Sequence, residues 1–197
     1  MQTLSLADFF SGLAITETMA RLDINSTSDM AAKGVTRATY GTRVWVGTVS
    51  IAPSYHADAD KLAAKLQYLQ EADILFRLTP GHLAGKVRTA GTIREISASD
   101  RRIVTLSAQL DDGAMFDVEF AGKRSMHRVV RKLRDRSSLG AGSAEYTVVP
   151  PMPFGAAATN VIGMGRPEIV AAITDASLAT YQAAIAGSAS FEWAQVL

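Results

Sequence analysis

The chain has 197 residues, 48% of them hydrophobic, which suits one domain, or one domain with an appendage, and allows a sizeable core. Lys plus Arg number 20 and Asp plus Glu 19, so the formal net charge is +1; that balance argues against a dedicated nucleic-acid binder and removes the self-repulsion that keeps monomers apart. The absence of cysteine excludes disulfides, thiolate zinc sites, iron–sulfur clusters and cysteine nucleophiles, and points to synthesis in a reducing cytosol.

The first 20 residues carry Leu4, Leu6, Phe9, Phe10, Leu13 and Ile15, a spacing compatible with a short amphipathic helix or an arm. The first basic residue is Arg21, so no charged secretion signal is read there, and no apolar run approaches the roughly 20 residues that span a bilayer. Arg43 to Ile51 is a strand candidate, rich in Val and Trp and stopped by Pro53. A helix follows at about 58–71: Asp58 or Asp60 caps it, Leu62, Leu66 and Leu69 recur at helical spacing, and Lys61, Lys65, Gln67 and Gln70 supply its polar face. Ile74 to Leu78 reads as the next strand, and Thr79-Pro80-Gly81 as a turn.

From Gly91 the pattern becomes a meander. Thr92 to Ser97 and Arg102 to Leu110 are strands, and Asp111-Asp112-Gly113 signals a hairpin. Ala114 to Ala121 alternates, with Phe116, Val118 and Phe120 on one face and Met115, Asp117 and Glu119 on the other, the pattern of a half-buried antiparallel strand. Lys123 to Arg136 fits a helix or a strand, with the strand favoured by the preceding meander and by the turn at Gly140 to Ser143 into Glu145 to Val149. Beyond three prolines, the alanine-rich stretch from Glu168 is compatible with a helix on propensity, and Ser188 to Leu197 with a strand.

Each candidate for chemistry fails on spacing or context. His56, His82 and His127 do not share a face, and read as isolated surface or loop residues. Gly81 to Lys86 lacks the spacing and the Ser/Thr of a phosphate-binding loop; Gly140-Ala141-Gly142 and Gly163-Met164-Gly165 read as turns. No GxSxG elbow occurs. The carboxylate pairs Asp58/Asp60 and Asp111/Asp112 fit a helix cap and a turn. No catalytic, cofactor-binding or metal-binding residue is therefore expected. The basic run is the one pronounced chemical feature. As a strand it places Arg124, Met126, Arg128, Val130, Lys132 and Arg134 on one face, read as a charge-protected edge, as a surface for an acidic neighbour, or as a contact for nucleic acid. Arg124, Arg128, Arg131, Lys132 and Arg134 are the candidate subunit or partner interface.

The order of features resembles the distal tail proteins and related minor tail proteins of siphophages and gene transfer agents. The resemblance lies in the strand Arg43 to Val49, then Pro53, the helix with Leu62, Ala64, Leu66 and Leu69, and Ile74 to Leu78 with Pro80. The meander, the segment Tyr146 to Pro151 and the terminal Ser190-Phe191-Glu192-Trp193 complete it. It covers most of residues 35–197 in order and residues 1–34 more loosely. It implies an antiparallel β-sandwich or split barrel with one packed α-helix, in a homo-oligomeric ring, typically a hexamer. Such a ring continues the tail tube, docks the hub or baseplate, and leaves a lumen through which DNA passes without sequence-specific binding.

The expectation is thus an α+β, mainly β chain: residues 1–34 as an N-terminal arm or first strand region, and 35–197 as a single domain. It is expected to be a non-enzymatic virion structural protein of the phage tail tip, assembled in the host cytoplasm, with no cofactor and no membrane. The alternatives are another tail or neck ring component (tube subunit, terminator or connector) and, from another class, a small-ligand-binding β-barrel or an enzyme with an unrecognised site.

Overall fold

The computed structural model describes residues 3–18, 20–23, 26–31, 34–39, 43–52, 56–71, 74–177, 181–182, 185–186 and 189–196. β1 (Thr3–Ser5), α1 (Leu6–Phe9), β2 (Ala14–Thr18) and β3 (Arg21–Leu22) come first, then a ribbon of β4 (Ser26–Ala31) and β5 (Gly34–Thr39). β6 (Trp45–Ala52), α2 (His56–Glu71) and β7 (Leu75–Leu78) follow. Next come β8 (Thr89–Ile96), β9 (Ile103–Leu106), β10 (Met115–Phe120), β11 (Lys123–Asp135), β12 (Ala144–Val149) and β13 (Val161–Met164). The chain continues through β14 (Ile169–Ser177), β15 (Tyr181–Gln182), β16 (Ile185–Ala186) and β17 (Ala189–Gln195).

Two bodies result. An open sheet runs β1-β7-β14-β17-β6-β2, with β3 also paired to β6. β8 to β13 close into a six-stranded barrel in the order β10-β11-β12-β9-β8-β13. The barrel is an insertion between β7 and β14, which are neighbours in the sheet. The chain is accordingly α+β and mainly β, but its strands divide between an open sheet and a closed barrel instead of forming one sandwich. Residues 1–34 contribute β1, β2 and β3 to the sheet, in keeping with the first strand region rather than the arm, and α1 is a single helical turn between strands.

The sheet core follows from strand alternation and one helical stripe. Trp45, Val49 and Ile51 of β6 and Phe191 and Trp193 of β17 are buried, as are Leu62 and Leu66, one turn apart on α2. Each such side chain contributes about 1.5–3 kcal/mol of burial energy. α1 is tied to α2 by Lys65, whose ammonium donates to the Phe9 carbonyl and lies 5.3 Å from the Phe9 ring centre. Within the alanine-rich stretch from Glu168, Ile169–Ser177 is strand rather than helix: β14 is hydrogen-bonded to β7 on one side and β17 on the other, and that lattice overrides alanine's helix propensity, while residues 178–180, 183–184 and 187–188 of the stretch lie outside the described residues.

The barrel has its own core, in which Val104, Leu106, Phe116, Val118, Tyr146, Val148 and Ile162 are fully buried. Asp111-Asp112-Gly113 does turn the chain, with Gly113 at φ +83. It makes no hairpin, because β9 pairs with β8 and β12 while β10 pairs with β11 and β13. The turn instead belongs to a loop that crosses one barrel end. There the Tyr146 hydroxyl donates to the Ala108 carbonyl at 2.9 Å and accepts from the Leu110 N–H at 2.8 Å. At the opposite end Arg101 holds a plug loop, donating from Nε to the Met152 carbonyl at 2.8 Å and from its guanidinium to Pro153 and Ala156.

His127, read as a surface or loop residue, is completely buried inside the barrel. It stacks on Phe116 with ring centres 5.5 Å apart, and Nδ1 donates to the Pro150 carbonyl at 2.9 Å. Burial pushes its pKa down from 6.5 to about 4. The unfolded chain therefore binds a proton that the folded chain refuses. The stability held by neutral His127 is complete above pH 6.5 and is lost as pH falls towards 4, a change of about 3 kcal/mol. In urea unfolding at pH 7.5 and pH 4.5, wild type is expected to lose about 2–3 kcal/mol more on acidification than His127→Gln does. Equal losses would show that the histidine is not what resists protonation.

Candidate assembly surface

β11 carries the basic run, and the strand reading of residues 123–136 holds. The single cationic face does not, because two β-bulges re-phase the strand. Paired residues share a face: Arg128 lies opposite Val149 outside, and Val129 opposite Val148 inside. After the first bulge Arg131 returns outside opposite Thr147, while Lys132 falls opposite Tyr146; after the second, Arg134 is outside opposite Glu145.

Most of these cations are occupied by their own chain. Arg124 lies 3.4 Å from Asp117, 3.0 Å from Glu168 and 2.8 Å from Glu119. Arg128 stacks over Trp45 at 5.4 Å and donates to the Met115 sulfur. Lys132 pairs with Asp135 at 2.7 Å, and Arg134 with Glu145 at 3.1 Å. Arg131 alone of the five is exposed with no partner among the described residues. The acidic complement expected from a neighbouring subunit is thus largely supplied within the chain.

The first half of that strand face is the junction of the two bodies. Met115 and Met126, on the barrel exterior, belong to the sheet core. Trp45 donates its indole N–H to the Met126 carbonyl at 2.7 Å, and Gln195 donates to the Arg124 carbonyl at 3.3 Å. The face of β10 that alternation assigns to solvent is therefore covered at Met115 and Asp117.

Asp117 has 0% side-chain exposure and accepts four hydrogen bonds. Arg88, in the segment leading into the barrel, grips both its oxygens, at 2.6 and 2.8 Å. Arg124 approaches at 3.4 Å, and the Glu168 N–H, in the segment leading out, donates at 2.8 Å. Burial raises the Asp117 carboxyl above its usual pKa, against the opposing pull of Arg88, the Glu168 N–H and Arg124. The Asp117 hydrogen bonds in turn hold Arg88 more firmly charged. Gly163 lies opposite Asp117 across β10 and β13, and a Cβ there would strike the Arg88 guanidinium. The residues Asp117, Arg88, Glu168 and Gly163 escape a sequence reading because they lie tens of positions apart. The only local signal is an acid inside an apolar alternation.

Further features lie apart from this junction. The β4–β5 ribbon pairs only with itself among the described residues. Phe154, 95% exposed at the tip of the plug loop, rests 5.4 Å from the Arg101 guanidinium. A cleft of about 770 Å³ lies where β1, β2, β7 and the barrel's linking segments meet. Among the described residues no cluster of three or more His, Asp or Glu is placed to hold a metal, and no helix is long and apolar enough to cross a membrane. No protein-family model matches the chain, and no curated protein matches it.

Removing the Asp117 carboxylate leaves Arg88 and the Glu168 N–H without their shared acceptor. Asp117→Ala is expected to cost about 3–5 kcal/mol in denaturant unfolding, and Arg131→Ala less than about 0.5 kcal/mol. Similar costs for the two would remove Asp117 as the fastening of the junction.

Proposed function

We propose that this chain is a non-enzymatic structural subunit that assembles with copies of itself into a ring at the distal end of a phage tail. In this reading the ring, a hexamer, joins the tail tube to the hub or baseplate and leaves a lumen for DNA. The mainly β body, with α2 packed on the open sheet, supports this reading.

The observation that carries the reading is the set of strand edges without a strand partner among the described residues on a mainly β body. β1 pairs only with β7, β2 only with β6, and the β4–β5 ribbon only with itself among the described residues. A six-pair ribbon that joins neither sheet is marginal by itself and gains stability by adding to another sheet. A head-to-tail contact of that kind, whose rotation closes, generates a ring. The filled interior of the barrel supports assembly over ligand carriage, since side chains occupy the space a barrel ligand would take. The polar clusters are consumed in ion pairs that hold the fold. Of the five candidate interface cations, Arg131 is the one exposed without a partner among the described residues.

Native mass and negative-stain electron microscopy of the purified protein test the reading. The expected result is a closed ring with a central opening, with fewer rings for Arg131→Glu. A monomer at every concentration would overturn the proposal, an open stack of rings would favour a tube subunit, and unchanged assembly of Arg131→Glu would remove the basic strand from the interface.

A further inference from the structure

We propose that the cleft between the two edges of the open sheet docks an acidic, extended peptide segment of a partner protein. Its volume of about 770 Å³ lies in the range that holds ligands. Ser5 of β1 and Ile15 and Thr18 of β2 line it, so both terminal strands of the sheet order border one opening. Each has a single strand partner among the described residues, and Gly81 lies against the Thr18 backbone at the end of β2, so the edges offered to a further strand are those of β1 and of β2 before Thr18. An extended segment satisfies such groups by adding as a strand.

The charge of the cleft selects the segment. Arg77 and Arg166 line it, and both are exposed with side chains that have no partner among the described residues. His82 adds a further donor, while the lining's carboxylate, Glu168, is committed to Arg124 at 3.0 Å. Two uncompensated guanidinium groups thus stand beside apolar side chains that include Ile15 and Leu78. A guanidinium matches a carboxylate in two parallel hydrogen bonds, and the apolar lining accepts the alternate side chains of a strand. A nucleic-acid strand fits less well: among the described residues no Phe, Tyr or Trp lines the cleft to stack on bases, and the net charge of +1 gives no broad basic field. The inference goes beyond ring formation, because it gives the β1 and β2 edges to a second kind of partner and leaves the β4–β5 ribbon as the edge for ring assembly.

Fluorescence anisotropy on the full chain provides the test, with a labelled Glu-Val-Glu-Val-Glu peptide as probe. A Gln-Val-Gln-Val-Gln peptide and an oligothymidylate strand serve as comparators. The acidic peptide is expected to bind saturably and to weaken with added salt. Binding should fall about tenfold or more for the glutamine peptide, and equally for the double variant Arg77→Gln, Arg166→Gln. Both arginines are exposed and their side chains have no partner among the described residues, so the variant should keep the wild-type thermal midpoint. Absence of peptide binding, equal binding by the variant, or arginine-dependent binding of the oligonucleotide in place of the peptide would each overturn the proposal. Native mass of the same samples reports ring formation separately.

Discussion

The carboxylate of Asp117 sits where the two bodies of the molecule meet, and the arrangement of the chain converges on it. A fully buried negative charge is costly unless its oxygens are all engaged. Here the engagement comes from three directions: a two-pronged guanidinium from Arg88, a second guanidinium from Arg124, and the Glu168 backbone N–H. Those donors belong to the segment entering the barrel, to the barrel wall and to the segment leaving it. One side chain on β10 therefore fixes the position of both connections at once, and Gly163 leaves the space that the arrangement needs.

Apolar packing surrounds this charged point. The sheet core and the barrel core are separate clusters, yet Met115 and Met126 on the barrel exterior are counted with the sheet. Trp45 bridges the two in three ways, by burial, by its indole N–H to the Met126 carbonyl, and by its face towards Arg128. Ion pairs alone orient well and stabilise little. With apolar contacts beside them, the barrel is both oriented and held.

How much of this the sequence discloses depends on how local the cause is. α2, β6, β7 and β17 are legible because helical spacing and strand alternation are written in adjacent residues, and the structure places them within a few residues of the expected bounds. The turn at Asp111 to Gly113 is legible too, but what it connects is not, since barrel closure gives β9 two other partners. The polar face of β10 looks solvent-facing because composition cannot reveal that Arg88 and Glu168 arrive from 29 and 51 positions away. For the basic run, the residues are evident and their roles are not. Two bulges with no marker in the sequence decide which side chains point outward, and the carboxylates that occupy them come from β10, β12 and beyond. His127 illustrates the same limit, for a histidine in a cationic stretch gives no hint that its ring lies against Phe116 inside a barrel.

The barrel's entrance and exit lie side by side. Arg88 donates to the Arg166 carbonyl at 2.9 Å, and the backbone at Gly165 passes so close to the Val87 carbonyl that a Cβ there would collide with it. β7 and β14, the strands on either side of this point, are already hydrogen-bonded neighbours. Arg88 and Gly165 are thus within reach of a short turn, and what the sheet would lose without residues 89–164 is the cover that Met115, Met126 and Arg128 give to Trp45. Topologically the barrel is an attachment plugged into one corner of the sheet. Over evolutionary time a lineage could exchange it for a different module, or lose it, while the sheet and its edges stay as they are.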